Sequence, residues 1–585
     1  MGCSSQIFVL DSAALVILLA LIGTVPCTAG PYMRKFRGHS AALEQPVAGV
    51  SINTTLGTIL SSGNGVSSTH LAKISAGLQH IFQALPKNDK GRLTPRALRH
   101  IVHTYFAREH GWLIRGLEPH GMSASYSKLH EADILVDNIP GLATALADKN
   151  QCDIGFSFDD SVALTAALER AILDESLDML DIAYKLNGFS VQDKLTEFAL
   201  HSVLTSYLLI YESGAEMKNT SMEVHQAFKK QAEKSVDSWP WIVDFERDSV
   251  FNFMYEQRHR SNPFKSWEFS FQSVTRIVDV MTKKYGKWQN RECSEMKDVL
   301  VGITGDASGK VPLGRFYAGQ PNGENTFSFS ETEDDLREMG ALENSVRGLL
   351  VRIPNYLAGP SNCIAASSYY SVCCLNECEL LMHELEDKIE ASSAPSEALL
   401  AVVGNMSSST VDAPRNLSQD LQARLDEISA RHKGQVPIYG RLFAEWLHHA
   451  FPNECQYPHM AAGAAELAPQ RWQGSQGLSV AASEQDKQKH IQVSAGLEHV
   501  TEVAAVEWLD DEVLLLEEPG GGVSWWQQAV WRMILAAVAQ VAVFVTMWSL
   551  AKGMWQQAAA GISIWQGHDK EPLEDDDHHF CAAGC

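Results

Sequence analysis

Apolar residues recur at helical spacing from about residue 80 to about residue 459. The alternating Val, Ile and Thr runs that are typical of half-buried strands are few. Helix starts can also be recognised. Ser157 with Asp160, and Ser190 with Asp193, have the spacing of a capping box, and each pair precedes an apolar-periodic segment. We therefore expect a mainly α fold.

A different apolar pattern occupies residues 529–551, which read AVWRMILAAVAQVAVFVTMWSLA. Its uninterrupted part, Met533 to Leu550, carries no formal charge. At about 1.5 Å per residue, the whole segment can cross a hydrocarbon core of roughly 30 Å. Tryptophans flank both ends, as in the aromatic belts of membrane proteins. We predict one transmembrane helix within residues 525–551.

A shorter apolar run, Ala13 to Val25, is followed by small residues up to Ala29. This arrangement is typical of a signal peptide that is cleaved after Ala29. Cleavage there would place the bulk of the chain in the lumen or outside the cell, with the C-terminal tail in the cytosol. If the run is instead retained as an anchor, the protein has two membrane spans.

Composition divides the rest of the chain into blocks. A Ser-, Gly- and Thr-rich stretch follows the signal peptide, and an Ala-, Gln- and Gly-rich stretch precedes the predicted span. The predicted organisation, in chain order, is a signal peptide (1–29), a flexible leader (30–75), a helical domain (76–215), a second helical domain (216–350), a Cys-rich helical module (351–460), a stalk or linker (461–524), the transmembrane helix (525–551) and an acidic tail (552–585).

Charge and glycosylation signals agree with a secretory protein. The formal net charge of −24 repels phosphate backbones, so we expect no nucleic-acid partner. The expected partners are the lipid bilayer and other proteins. Four N-glycosylation sequons lie between the two apolar segments and none lies in the tail. The candidate acceptors are Asn53, Asn219, Asn405 and Asn416.

Two stretches share one pattern, residues 85–93 (LPKNDKGRL) and residues 303–311 (ITGDASGKV). Each has an apolar segment on both sides, a polar loop with a central glycine (Gly91 or Gly309) and an apolar residue two positions later. Helix, polar loop, apolar residue and helix in this order resemble the EF-hand. The resemblance implies helix-loop-helix pairs.

Calcium binding is a separate question, because the ion needs six or more oxygen ligands. Aligned on the loop glycines, the first loop keeps Asn88 and the second keeps Asp306, with the hydroxyl of Ser308 beside it. Arg315 replaces the bidentate glutamate in the second loop. We predict no calcium site of sensor affinity, and Asp306 with Ser308 is the candidate for a weaker one. The chain also resembles uncharacterised membrane proteins of algal protists, which implies no known function.

Cysteines supply the main candidate chemistry. In an oxidising lumen the default is disulfide formation. Cys374 or Cys378 could pair with Cys455 and join two amphipathic helices, and Cys363 lies nearby in the sequence. The number of cysteines in the bulk is odd, so at least one thiol is free or intermolecular. The seven are Cys152, Cys293, Cys363, Cys373, Cys374, Cys378 and Cys455.

Two alternatives use the same cysteines. With His383 and His459, the cysteines at 363, 374, 378 and 455 could bind zinc, although no pair of CxxC knuckles is present. Cys363 could instead be a nucleophile, since residues 359–363 form a predicted turn before a helix. No GxSxG, P-loop, dinucleotide or HExxH motif accompanies it.

Histidines cluster on the helix predicted from about residue 94 to residue 110. His100, His103 and His110 fall on one side, opposite the apolar set that includes Leu98 and Phe106. We expect this face to be exposed to solvent. It could act as a pH-responsive patch in an acidic compartment, or bind a metal adventitiously.

These features favour a membrane-tethered interaction or scaffold protein with a non-catalytic lumenal or extracellular helical domain. One alternative is a calcium- or pH-responsive sensor that uses degenerate EF-hand-like loops. A second alternative is a thiol-dependent enzyme with Cys363 as its nucleophile. We expect no cofactor; calcium would belong to the sensor alternative, and zinc to the alternative use of the cysteines as metal ligands.

Overall fold

A computed structural model describes residues 68–117, 132–151, 155–213, 220–235, 238–257, 267–304, 308–319, 329–345, 348–364, 366–458, 481–497 and 510–514, together with Phe327 and Trp508. Within these residues the chain forms seventeen helices, which confirms the mainly α class. All of them belong to one compact unit, residues 50–519.

The helices and strands are numbered in chain order. The helices are α1 (Ser68–Ala84), α2 (Pro95–His110), α3 (Asp133–Asn138), α4 (Pro140–Gln151), α5 (Phe158–Leu186), α6 (Glu197–Ser213), α7 (Met222–Ser235), α8 (Trp239–Gln257), α9 (Phe271–Thr304), α10 (Leu313–Ala318), α11 (Glu333–Glu338), α12 (Ile353–Leu357), α13 (Glu377–Ile389), α14 (Ser396–Gly404), α15 (Gln419–Arg431), α16 (Arg441–Ala450) and α17 (Glu484–Leu497). The strands are β1 (Trp112–Ile114), β2 (Lys310–Pro312), β3 (Leu342–Ser345), β4 (Gly348–Arg352), β5 (Tyr370–Val372), β6 (Ser393–Ala394) and β7 (Val436–Pro437).

Loops between helices meet in pairs through short antiparallel contacts. In each pair, one residue of one loop faces one residue of the other across a backbone bridge or a two- to three-residue ladder. Both hydrogen bonds of the first bridge, between Leu93 and Phe156, are 2.8–2.9 Å long. Five of these contacts are Leu93 with Phe156, Leu195 with Phe269, Val311 with Val351, Ala394 with Val436, and Leu113 with Ser371 in the ladder of β1 with β5.

The loop pairs are not formed between the two stretches that resemble each other in sequence. The stretches 85–93 and 303–311, which resemble each other, do not face one another. Each contacts a loop that the pattern did not single out, at Phe156 and Val351 respectively. The long helices α5 and α9 follow one paired loop and precede the next, so they connect consecutive pairs.

Core side chains form two clusters. The larger extends from Ile74 to Cys455, and the smaller, around β2, β3 and β4, extends from Leu300 to Tyr356. The predicted boundary after residue 350 falls inside β4, which runs through residue 352. The helix α1 also begins at Ser68, within the predicted leader.

One predicted helix start is confirmed and the other is wrong. Ser157 caps α5 in a reciprocal capping box with Asp160. Asp193, by contrast, accepts a hydrogen bond from the Ser190 backbone at 2.7 Å inside a loop. Helix α6 starts four residues later at Glu197, where Thr196 accepts from the Ala199 backbone. A Ser-x-x-Asp pattern closes a turn as readily as it starts a helix, because both use the same local hydrogen bonds.

Two parts of the predicted stalk pack against the helical body. Helix α17 lies on α10 so closely that a Cβ on Gly314 would sit 2.3 Å from the His490 carbonyl oxygen. Trp508 and residues 510–514 contact the α15–α16 region, where Leu514 bridges Gly440. These stretches therefore do not form an extended linker.

In the described residues, no helix is both long and apolar enough to cross a membrane. The predicted span, 525–551, lies outside them, as do the signal peptide and the tail.

Candidate functional site

The loop between α1 and α2 is closed by a lysine. The Lys87 ammonium donates hydrogen bonds of 2.9 Å to the carbonyl oxygens of Gln83 and Leu85. It also lies 5.0 Å from the centre of the Phe82 ring. Burial lowers the pKa of Lys87. A protein cation thus binds the carbonyl oxygens at the start of this loop.

Asn88 completes the closure of the same loop. Its side-chain oxygen accepts hydrogen bonds of 3.0 Å from the backbone N–H groups of Lys90 and Arg92. The Asn88 N–H donates to the Arg92 carbonyl at 2.9 Å, and Gly91, at φ +68°, supplies the tight turn. The side-chain oxygen that the EF-hand alignment assigned to a calcium ion is therefore bound by backbone amides.

The second EF-hand-like loop is described only in part. Asp306 lies outside the described residues, and Ser308 is exposed at the start of β2. Gly309 has φ +71°, and a Cβ there would lie 2.1 Å from the Pro452 carbonyl oxygen. This glycine is needed for a close backbone approach as well as for its dihedral angle. Among the residues that the structure describes, no group of three or more His, Cys, Asp or Glu side chains is placed to hold a metal ion.

Six cysteines form three disulfides: Cys293 with Cys374, Cys363 with Cys373, and Cys378 with Cys455. Of the two pairings proposed for Cys455, the structure has the one with Cys378, which joins α13 to the chain after α16. Sequence reasoning did not include Cys293 or Cys373 among the candidates. Cys293 could have been found from its helix, since it lies eight residues after Tyr285 and seven before Leu300, both buried on the inner side of α9.

The disulfides bear on the two alternative uses of cysteine. The sulfur of Cys363 is bonded to Cys373, so it is not a thiolate here. All four cysteines of the zinc hypothesis are likewise disulfide-bonded. His383 is placed beside His80, with ring centres 5.9 Å apart, and His459 lies outside the described residues.

A buried lysine fastens the disulfide-bonded region. The Lys297 ammonium donates to both Glu377 oxygens at 2.9 Å, to the Ser409 hydroxyl at 2.7 Å and to Glu454 at 3.1 Å. The Glu454 side chain is fully buried and also accepts from Thr410 at 2.7 Å. This ion cluster joins α9, α13 and the turn after α16, the same segments that two of the disulfides link.

The prediction of a solvent-exposed histidine face is wrong. His110 is buried, with its ring 4.3 Å from the Trp112 ring and its Nδ1 donating to the Lys283 carbonyl at 3.2 Å. His100 packs edge-on against Tyr439. Helix α2 contacts other elements on most of its surface, so polar residues on it are covered by tertiary packing.

The buried Glu169 lies beside this face. It accepts a 2.7 Å hydrogen bond from His70 and pairs with Lys283 at 3.2 Å. Burial alone would raise the pKa of Glu169, but the His70 hydrogen bond and the Lys283 charge hold it below its usual value. This carboxylate is thus ionised and structural at neutral pH.

Two other buried glutamates have pKa values above the usual range. Burial raises the pKa of Glu386 to about 8, and the Tyr439 hydroxyl donates to it at 2.8 Å. Burial raises the pKa of Glu212 to about 7, with Tyr285 donating at 2.7 Å. Both carboxyls therefore exchange protons near neutral pH, and neither was predicted from the sequence, because a lone glutamate within a helix gives no sign of its burial.

Comparison with protein-family models, with curated proteins and with solved structures gives no match.

Proposed function

We propose that this chain is a membrane-tethered interaction or scaffold protein whose helical body lies in the lumen or outside the cell. The observation that carries the proposal is the covalent fastening of residues 293–455 by three disulfides. Such bonds persist in the secretory pathway and outside the cell, and are reduced in the cytosol. The predicted signal peptide would direct the chain into the secretory pathway, and the predicted span at 525–551 would attach it to the membrane.

The EF-hand-like loops at residues 85–93 and 303–311 favour a rigid scaffold and not a calcium-dependent switch. Each of these two loops resembles an EF-hand loop in its order of helix, turn, bridged residue and helix. In the first loop the oxygens are already bound by Lys87 and by backbone amides. A calcium ion would have to displace an ammonium group and break these hydrogen bonds. The first loop therefore holds its shape through its own side chains.

One observation favours a second candidate, a pH-responsive protein. Burial raises the pKa of Glu386 to about 8 and that of Glu212 to about 7, so both carboxyls are protonated in the folded body at the pH of an acidic compartment. As the pH rises, the unfolded chain releases these protons before the folded body does, so the body becomes less stable at the higher pH. The groups responsible are then buried carboxyls and not the histidines of α2.

Glycosylation of the expressed chain tests the placement. Of the two described sequons, Asn405 ends α14 and Asn416 precedes α15, and both are exposed. We expect Asn405→Gln and Asn416→Gln each to remove one glycan from full-length protein that resists extraction from membranes at high pH. Full-length protein that is unglycosylated, or that is recovered in the soluble fraction, would contradict the proposal.

A further inference from the structure

An acidic segment lies across helices α15 and α16. Trp508 packs against His449 with ring centres 4.5 Å apart, and the Arg424 guanidinium lies 5.3 Å from the Trp508 ring. The chain then continues past α15 and the start of α16 to Leu514, which forms a backbone bridge with Gly440. Trp508 and residues 510–514 thus lie on α15 and α16 as parts of one peptide segment.

Two arginines hold the first carboxylate of the segment. Asp510 Oδ1 accepts hydrogen bonds from Arg431 at 2.7 Å and from Arg424 at 3.2 Å. These hydrogen bonds lower the pKa of Asp510. Arg424 is buried and also pairs with Glu427 at 2.7 Å, so its position is fixed by the body. The site therefore presents a prearranged cation to the incoming carboxylate.

The Glu512 carboxylate caps the start of helix α16. Helix α16 starts after Gly440, a residue that has no side chain to cap it. Glu512 Oε1 accepts from the Leu442 N–H at 3.3 Å, and its Oε2 lies 2.9 Å from His432 Nε2. A carboxylate at this position satisfies a free N–H group and the positive end of the helix dipole. The cap of α16 comes from a residue some seventy positions later in the chain.

Backbone contacts set the direction of the segment. The Arg441 N–H donates to the Val513 carbonyl at 2.9 Å, and the Arg441 guanidinium donates to the Asp511 carbonyl at 3.0 Å. These bonds do not depend on side-chain identity in the segment. Selectivity must then come from the tryptophan and the carboxylates at positions 510 and 512, while residue 511 contributes its carbonyl oxygen.

We propose that α15, α16 and the residues that flank them form a docking groove for an extended acidic peptide of the pattern Trp-x-Asp-x-Glu, and that Trp508 and residues 510–514 belong to its resident, exchangeable ligand. The groove is built from buried arginines and a helix end, whereas the ligand's Asp510 is 72% exposed at its side chain and held by surface ion pairs. Such pairs are individually weak, so the segment can dissociate. The proposal names a partner class for the interaction role and stands whether or not the chain crosses a membrane.

Hydrogen exchange on the full-length chain tests the docking. Glu512→Gln removes the negative charge of the cap and leaves a neutral acceptor, and Asp511→Asn makes the same change of charge one residue away, where the backbone carbonyl makes the contact. We expect the amides of Arg441 and Leu442 to exchange roughly 10-fold faster in the Glu512→Gln variant and within about 2-fold of wild type in the Asp511→Asn variant. Equal exchange in the two variants would overturn the proposal. Both changes lie in the segment, so the body keeps its own contacts.

Peptide binding tests the exchange. A labelled peptide of residues 505–517 should bind the full-length Asp510→Asn, Glu512→Gln double variant at least about 10-fold more tightly than wild type, in which the tethered segment competes at millimolar effective concentration. A peptide with amides at positions 510 and 512 should bind at least about 10-fold more weakly. The proposal fails if the double variant binds neither the acidic peptide nor its amide form at concentrations up to about 2 mM. It also fails if the double variant binds the two peptides with equal affinity. If only the membrane assignment is wrong, the protein is soluble or unglycosylated in the earlier experiment, and the peptide affinities are unchanged.

Discussion

Glu386 offers the most quantitative test of how the core is built. Its side chain is about 1% exposed, its one observed partner is the Tyr439 hydroxyl, and burial raises its pKa to about 8. The folded state therefore binds this proton more tightly than the unfolded state does, where the pKa is near 4.5. Stability must fall as the pH rises from about 4.5 to about 8, and Glu386→Gln should abolish this part of the fall.

The size of the effect follows from the two pKa values. One pKa unit corresponds to about 1.4 kcal/mol, so the penalty on the folded state grows from about 1 kcal/mol at pH 5 to about 4 kcal/mol at pH 7.5. Glutamine resembles the protonated carboxyl and carries no charge at either pH. The variant should therefore gain about 3 kcal/mol relative to wild type between these two pH values.

Urea unfolding at pH 5.0 and pH 7.5, with the disulfides intact, measures the difference directly. Glu384→Gln is the control, because Glu384 lies on the same helix but has a partly exposed side chain that pairs with Lys388. Its stability relative to wild type should change by less than about 0.5 kcal/mol between the two pH values. If Glu386→Gln shows no larger change than Glu384→Gln, Glu386 is ionised in the folded protein and the reasoning from burial is wrong.

Three further predictions follow from named contacts. Lys297→Met should cost about 3–5 kcal/mol in urea unfolding, because it leaves Glu454 buried beside Glu377 without a cation; exposed Lys388→Met should cost less than about 1 kcal/mol. Gly309→Ala should destabilise more than Gly91→Ala in the same assay. Both glycines have positive φ near 70°, but only Gly309 faces backbone, at Pro452. Equal losses would show that the Pro452 contact is unimportant. Calcium at about 1 mM should not raise the melting temperature of the full-length chain, whereas a clear rise would support a sensor.

Local features were predictable and long-range contacts were not. The helix from Pro95 to His110 was expected within a residue, and Ser157 does cap α5 as its spacing indicates. These depend on hydrogen bonds within one turn. Burial of His110 and capping of α16 by Glu512 depend on segments far away in the sequence, and the periodicity of one helix contains no information about them.

The cysteines illustrate the same limit. The sequence indicated a disulfide from Cys374 or Cys378 to Cys455, since one amphipathic helix begins near the first two and another ends near Cys455, and the structure has the second option. It could not select between the two options, because Cys374 is taken by Cys293 on the long helix α9, eighty-one residues earlier. Pairing is a property of the assembled fold and not of local spacing.

Peptide mapping under non-reducing conditions tests the central claim most directly. A covalently fastened body in an oxidising compartment predicts three disulfides in the full-length protein as it is isolated from membranes, namely Cys293 with Cys374, Cys363 with Cys373, and Cys378 with Cys455. Because Cys373 and Cys374 are adjacent, the peptide that contains both should be linked to the peptide of Cys293, and its fragmentation should assign Cys373 to Cys363. Recovery of these six residues as free thiols that react with an alkylating reagent, or in other pairings, would contradict the account.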